Sequence, residues 1–141
     1  MRRIMLLVAS VMFGFCVAST AQTFPQVVAQ VSLTGQNLPI HHGVLYTPSS
    51  EGVFRATMSM LMTKPVNHSV FWDGFIEWTD EIGRSESFLM WSLFVSSTPP
   101  QASSSGTYTF KAEASKPIYY DVAFGDEHSQ YSLYVTLEQL Q

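Results

Sequence analysis

The sequence predicts an all-β protein, an antiparallel β-sandwich of about eight strands with a jelly-roll-like arrangement. Apolar and polar residues alternate with a period of two along most of the chain, which is typical of half-buried strands. Clusters of Gly, Pro, Asn, Asp and Ser separate the alternating segments at short intervals. Eight strands joined by connections of unequal length favour a jelly roll, and a plain immunoglobulin-like sandwich is the alternative.

The first 21 residues have the features of a cleavable signal peptide. Arg2 and Arg3 follow the initiating methionine, residues 4–17 are almost wholly apolar, and small residues at 18–21 precede the polar Gln22. A membrane-spanning helix needs about 20 apolar residues, which is more than this segment offers. We therefore expect residues 1–21 to be removed, and residues 22–141 to form one secreted or periplasmic domain without a membrane anchor.

Cleavage would change the composition of the domain. It would remove the only cysteine, Cys16, together with two of the seven Lys and Arg residues. The remaining 5 basic residues against 11 acidic ones would give a formal net charge of −6. A domain of this charge has no basic patch for nucleic acid, and without cysteine its stability must come from its core rather than from disulfides.

The clearest strand is predicted over residues 52–63. Phe54, Ala56 and Met58 alternate there with polar residues, between a turn containing Gly52 and a stop at Pro65. The other predicted strands are residues 26–34, 39–46, 70–79, 86–95, 106–113, 118–124 and 130–138. The Ser- and Pro-rich residues 96–105 are predicted to form an exposed loop.

Several predicted strands carry large apolar side chains on both faces. Because the outer face of a sandwich is normally polar, a surplus of outer aromatic residues indicates an interaction surface, unless a loop covers it or a bulge changes the alternation. The residues expected on the outer faces are Phe71, Phe75, Phe88, Met90, Phe94, Tyr119 and Tyr134. We expect a non-catalytic structural or interaction module that self-associates, as a homo-oligomer, or binds a protein partner through them.

The alternative is a module that binds a glycan or another small ligand. Exposed tryptophan rings can stack on sugar rings, and the candidates are Trp72, Trp78 and Trp91. The two hypotheses differ in whether these tryptophans are exposed.

A catalytic role is not expected. The chain has no Gly-x-Ser-x-Gly motif and no phosphate-binding loop. Asp73 and Glu77 would share one face of a strand at a separation of roughly 13 Å, which exceeds the spacing of a glycosidase carboxylate pair. Asp80 and Glu81 fall in a predicted turn, where simple solvation is favoured over a calcium ion.

A metal site is not expected either, and no cofactor is predicted. The histidines are His41, His42, His68 and His128. Since His41 and His42 are adjacent, they would point to opposite faces of a strand, whereas zinc ligands must converge.

Short segments of the chain resemble an uncharacterised family of short secreted bacterial and phage-like β-proteins. The segments are 45–48 (Leu-Tyr-Thr-Pro), 51–55 (Glu-Gly-Val-Phe-Arg), 77–80 (Glu-Trp-Thr-Asp), 111–112 with 116–118, and 131–135 (Tyr-Ser-Leu-Tyr-Val). Val53-Phe54 departs from the Leu-Tyr pair of that family. The chain is also similar to C1q and tumour-necrosis-factor jelly rolls, in which a strand with Pro, Gly and an aromatic residue opens the core. That similarity implies a trimer-forming binding module, and neither resemblance implies catalytic residues.

Overall fold

The computed structural model describes residues 25–64, 68–95 and 102–141. These residues form eight strands: β1 (Gln26–Gln36), β2 (Ile40–Tyr46), β3 (Gly52–Lys64), β4 (Val70–Thr79), β5 (Ser85–Val95), β6 (Ser103–Ala112), β7 (Ile118–Phe124) and β8 (Gln130–Gln139). Within these ranges no helix is long and apolar enough to cross a membrane. The predicted signal peptide, residues 1–21, lies outside the described residues.

The strands form two four-stranded antiparallel sheets. The first sheet has the order β1-β8-β3-β6, and the second has the order β2-β7-β4-β5. The strands therefore pair in a nested series, as in a long hairpin that has been rolled up: β4–β5, β3–β6, β2–β7 and β1–β8. Every connection except that between β4 and β5 passes from one sheet to the other. This is the jelly-roll arrangement, so the predicted fold class is confirmed and the immunoglobulin-like order is excluded.

The alternation of β3 explains how the core forms. Phe54, Met58 and Met60 are buried on the inner face, while the residues between them point outward. Across the core, Trp72 on β4 packs against Tyr131 on β8 with ring centroids 4.7 Å apart. Burying each such side chain contributes about 1.5–3 kcal/mol, and this core holds the two sheets together.

One predicted boundary is wrong. The segment 96–105 was expected to be a loop, but β6 begins at Ser103, which lies opposite Leu61 in the β3–β6 ladder. Backbone pairing with β3 continues through this serine run, since Ser104 lies opposite Met60 and Ser105 lies opposite Ser59. Residues 96–101 lie outside the described residues.

A β-bulge in β5 determines which residues of this strand face outward. Gly74 pairs with Trp91 and Phe75 pairs with Leu89, so Met90 is an extra residue without a counterpart on β4. The backbone of Met90 lies against Gly106 of β6, where a Cβ atom would overlap the Met90 carbonyl oxygen. The bulge therefore sits at the corner where the two sheets meet.

Candidate functional site

Of the predicted interaction residues on β4 and β5, three lie on the outer face of the second sheet. Phe71 and Phe94 are cross-strand partners with ring centroids 4.6 Å apart, and they are 55% and 53% exposed. Phe75 pairs with Leu89, which is also exposed. We call the pairs Phe71–Phe94 and Phe75–Leu89 the β4–β5 strip.

A polar pair separates the two apolar pairs of the strip. Asp73 lies opposite Ser92, whose hydroxyl donates a hydrogen bond of 2.5 Å to the Asp73 carboxylate. The strip is thus an apolar surface with a carboxylate at its centre.

Phe88 and Met90 were expected on this outer face, but the structure places both on the inner side. Phe88 is the partner of the fully buried Ile76, and its ring stacks on Tyr108 of β6 at a centroid distance of 3.8 Å. Met90 is the buried bulge residue. The extra residue shifts the alternation by one position, which moves Phe88 inward and Leu89 outward.

The two tyrosines of the predicted set lie in different places. Tyr119 projects from β7 on the outer face of the second sheet, where its ring is 5.3 Å from that of His42. Tyr134 projects from the first sheet instead and borders a shallow groove of about 470 Å³. Ser59, Leu61 and the serines at 103–105 line the rest of the groove.

The three tryptophans proposed for ligand binding are interior residues. Trp72, Trp78 and Trp91 are 0%, 8% and 4% exposed. Trp91 lies over Gly74, which leaves no room for a Cβ atom beneath the indole ring. Because all three fill the core, they cannot stack on a ligand at the surface, and this part of the sequence interpretation is corrected.

A polar cluster that the sequence did not predict adjoins the β4–β5 strip. It joins His42 of β2, Glu77 of β4 and Asp121 of β7. The His42 Nε2 atom is 3.2 Å from a Glu77 carboxylate oxygen, and the His42 amide donates a 2.9 Å hydrogen bond to Asp121 Oδ1. One potential ligand atom from each residue lies within 4.8 Å of the other two.

A second bulge brings His42 to this cluster. Ile40 pairs with Val122 and Gly43 pairs with Tyr120, so β2 has one residue more than β7 between these pairs. His42 adopts a φ of 50°, which is uncommon for a residue other than glycine. The three residues are far apart in sequence and on three strands, and no local spacing could have revealed them.

Other polar residues of interest stabilise turns. Asp80 accepts hydrogen bonds from the amides of Ile82 and Arg84, at 3.0 and 2.8 Å, and so closes the β4–β5 turn. Asp126 is contacted by His68 and His128, and hydrogen bonds from the amide and ring of His128 hold its pKa below the usual value.

Comparisons with known proteins find similar structures but no family for this chain. The chain matches no protein-family model and no curated protein sequence. Among solved structures it is similar to Eiger TNF from S. frugiperda, with 12% identity over 83% of this chain and 90% of that chain, and a TM-score of 0.45. It is also similar to the CBM22-1 xylan-binding domain of Paenibacillus barcinonensis Xyn10C, with 10% identity over 84% and 90% of the two chains and a TM-score of 0.44.

A third similar structure is that of infectious bursal disease virus, Gx strain. Its identity is 10% over 82% of this chain and 31% of the viral chain, with a TM-score of 0.44. A tumour-necrosis-factor protein is thus among the similar structures, as the resemblance in sequence implied. Identities this low carry no argument about ligand or partner, and the jelly roll rests on the strand order itself.

Proposed function

We propose that this protein is a non-catalytic binding module that docks a polypeptide segment carrying apolar and basic side chains on the outer face of its second sheet. The observation that carries this proposal is the Phe71–Phe94 pair, two adjacent rings that are each more than half exposed on a sheet face. Exposed aromatic pairs of this kind are typical of interaction sites rather than of solvated sheets.

The charge of the face favours a basic partner over a second copy. On the described strands of the second sheet, the outward side chains that are charged at neutral pH are Asp73, Glu77 and Asp121, all acidic. Two copies stacked through this face would bring like charges together, whereas a basic segment would complement them. Self-association, the first expectation from the sequence, thus becomes the outcome that would contradict the present proposal.

The groove on the first sheet is the weaker candidate. Tyr134 is its one aromatic residue, and the other side chains that line it are serine hydroxyls and Leu61, without a charged or carboxamide side chain. Sugar sites combine aromatic stacking with several directed hydrogen bonds. The β4–β5 strip has more exposed aromatic surface and a definite charge, so we assign the binding role to it.

A pair of matched peptides tests the proposal. One peptide alternates leucine with lysine, and the other alternates leucine with glutamate. Titration calorimetry at an ionic strength of about 10 mM, where screening is weak, should detect binding of the lysine peptide only. The double variant Phe71→Ser/Phe94→Ser should lose affinity about tenfold or more, because aromatic contacts at the centre of an interface dominate its energy.

The control variant is Ile82→Ser, which removes a side chain of similar exposure from the β4–β5 turn, outside the strip. It should bind the lysine peptide like the unmodified protein. Equal binding of both peptides, unchanged binding by the double variant, or sedimentation as a dimer that the double variant abolishes would each overturn the proposal.

A further inference from the structure

Asp121 is a buried carboxylate of which only one oxygen atom has a hydrogen-bond partner. It is only 8% exposed, although it projects from an outer sheet face. Its Oδ1 atom accepts the amide proton of His42, while its Oδ2 atom is buried and has no hydrogen-bond partner among the described residues. A buried charged oxygen without a partner is costly, and such atoms are normally satisfied by an ion, a water molecule or a donor.

No Lys or Arg of the described chain forms an ion pair with Asp121. The groups that converge on it, His42 and Glu77, are themselves potential metal ligands. Their side chains are 69% and 31% exposed, so a solvent ion can reach them and they have room to move. The site therefore combines one rigid buried ligand with two adjustable ligands at its mouth.

We infer that His42, Glu77 and Asp121 form a binding site for one divalent transition-metal ion of the zinc class. An imidazole nitrogen with two carboxylate oxygens is a ligand set that Zn²⁺ accepts, whereas Ca²⁺ and Mg²⁺ prefer oxygen ligands alone. With bonds of about 2.1 Å, tetrahedral ligands lie about 3.4 Å apart. The ligand atoms lie within 4.8 Å of one another, and small rotations of the His42 and Glu77 side chains would bring them to this spacing.

The ion would also balance the charge of the site. Two carboxylates and a neutral imidazole carry two negative charges, which a divalent cation neutralises. Three protein ligands leave one tetrahedral position open to water or to a partner's side chain, as in zinc sites that do more than stabilise a fold. This site does not rest on the peptide-binding proposal, and the peptide titration is run with a chelator present so that the two can fail separately.

Zinc titration of the untagged protein, followed by calorimetry, tests the inference. We expect one equivalent of Zn²⁺ to bind, and His42→Ala and Glu77→Gln each to weaken binding about tenfold or more, as changes around metal ligands do. The matched controls are His41→Ala, the adjacent exposed histidine, and Asp73→Asn, another outward acid on β4. Both should bind zinc like the unmodified protein.

Asp121→Asn supplies a second readout that separates metal binding from folding. With EDTA this variant should unfold at the same temperature as the unmodified protein or higher, because it removes an unpaired buried charge. Zinc should raise the unfolding temperature of the unmodified protein and leave that of the variant unchanged. Absence of 1:1 binding, or binding that His42→Ala and Glu77→Gln leave intact, would overturn the site.

Discussion

The two outer faces of this sandwich differ in chemistry although both sheets build one core. The outer face of the first sheet presents small hydroxyl side chains such as Thr57 and Thr107, whose oxygens are 3.2 Å apart. Its charges are of both signs, and Arg55 pairs with Glu138 at 2.7 Å. The outer face of the second sheet presents the β4–β5 strip and the carboxylates Asp73, Glu77 and Asp121, none of which pairs with a Lys or Arg among the described residues.

This difference separates residues whose identity is constrained by packing in the core from outer residues that folding does not constrain. The inner faces are constrained by packing, and residues such as Met58 and Ile76 could be replaced only by side chains of similar volume. On the first outer face the basic residues Arg55 and Lys111 form ion pairs, Arg55 with Glu138 and Lys111 with Glu51. The second keeps exposed rings and a buried carboxylate oxygen without a hydrogen-bond partner among the described residues, and this is where a partner or an ion has most to contribute.

The largest loss of stability is expected for a substitution at Gly106 of β6. This residue packs against the β5 bulge, which determines which side chains of β5 face outward. Gly106→Ala would place a methyl group against the Met90 carbonyl, and because backbone atoms cannot rotate away, the bulge must shift. We expect a loss of about 3 kcal/mol in the free energy of unfolding, at the upper end for overpacking, measured by urea titration.

The neighbouring Ser105→Ala is the control for that substitution, since Ser105 is exposed on β6. It should change the free energy of unfolding by no more than about 0.5 kcal/mol. If the two variants were equally stable, the close contact between β5 and β6 would not exist in solution, and the assignment of Phe88 to the inner side would lose its basis.

Much of the fold could be predicted from the sequence, and the errors have local causes. Strict alternation from Phe54 onward and turn residues between segments were enough to place all eight strands, since these features depend on neighbours in the chain. Phe88 and Met90 were misplaced because one extra residue in β5 reverses the alternation. No residue type in the sequence indicates the position of this bulge. The His42 cluster was missed because strand order brings its members together, and strand order depends on contacts between distant residues.

A smaller effect is expected from a comparison of two tyrosines on β8. Tyr131 is buried, burial raises the pKa of its phenol, and its hydroxyl donates a 2.7 Å hydrogen bond to the carbonyl of Leu38. Tyr131→Phe should cost about 1 kcal/mol of unfolding free energy, because it removes this link between β8 and the β1–β2 turn. Tyr134→Phe, on the outer face, should be nearly neutral in the same urea titration. If both substitutions lowered the unfolding free energy equally, the hydrogen bond from Tyr131 to Leu38 would not contribute to stability.

The smallest effect concerns the ion pair on the first outer face and its dependence on pH. A hydrogen bond from Arg55 lowers the pKa of Glu138 from its ordinary value of 4.5. A carboxyl with a lowered pKa in the folded state stabilises the protein above its unfolded-state pKa, and this contribution disappears as the pH falls through the folded-state pKa. Glu138→Gln should therefore lower the urea midpoint slightly at neutral pH and have no such effect at about pH 2.

Arg55→Gln provides the matched test of the same pair. If the ion pair causes the pH dependence, Arg55→Gln should lower the urea midpoint at neutral pH by the same amount as Glu138→Gln. The double variant should have a midpoint close to that of either single variant, since both changes remove the same interaction. Added salt should reduce the difference between these variants and the unmodified protein, because both partners are at the surface and are screened. If the stability difference between these variants and the unmodified protein stayed constant across pH and salt, its cause would be the packing of the Arg55 side chain rather than its charge.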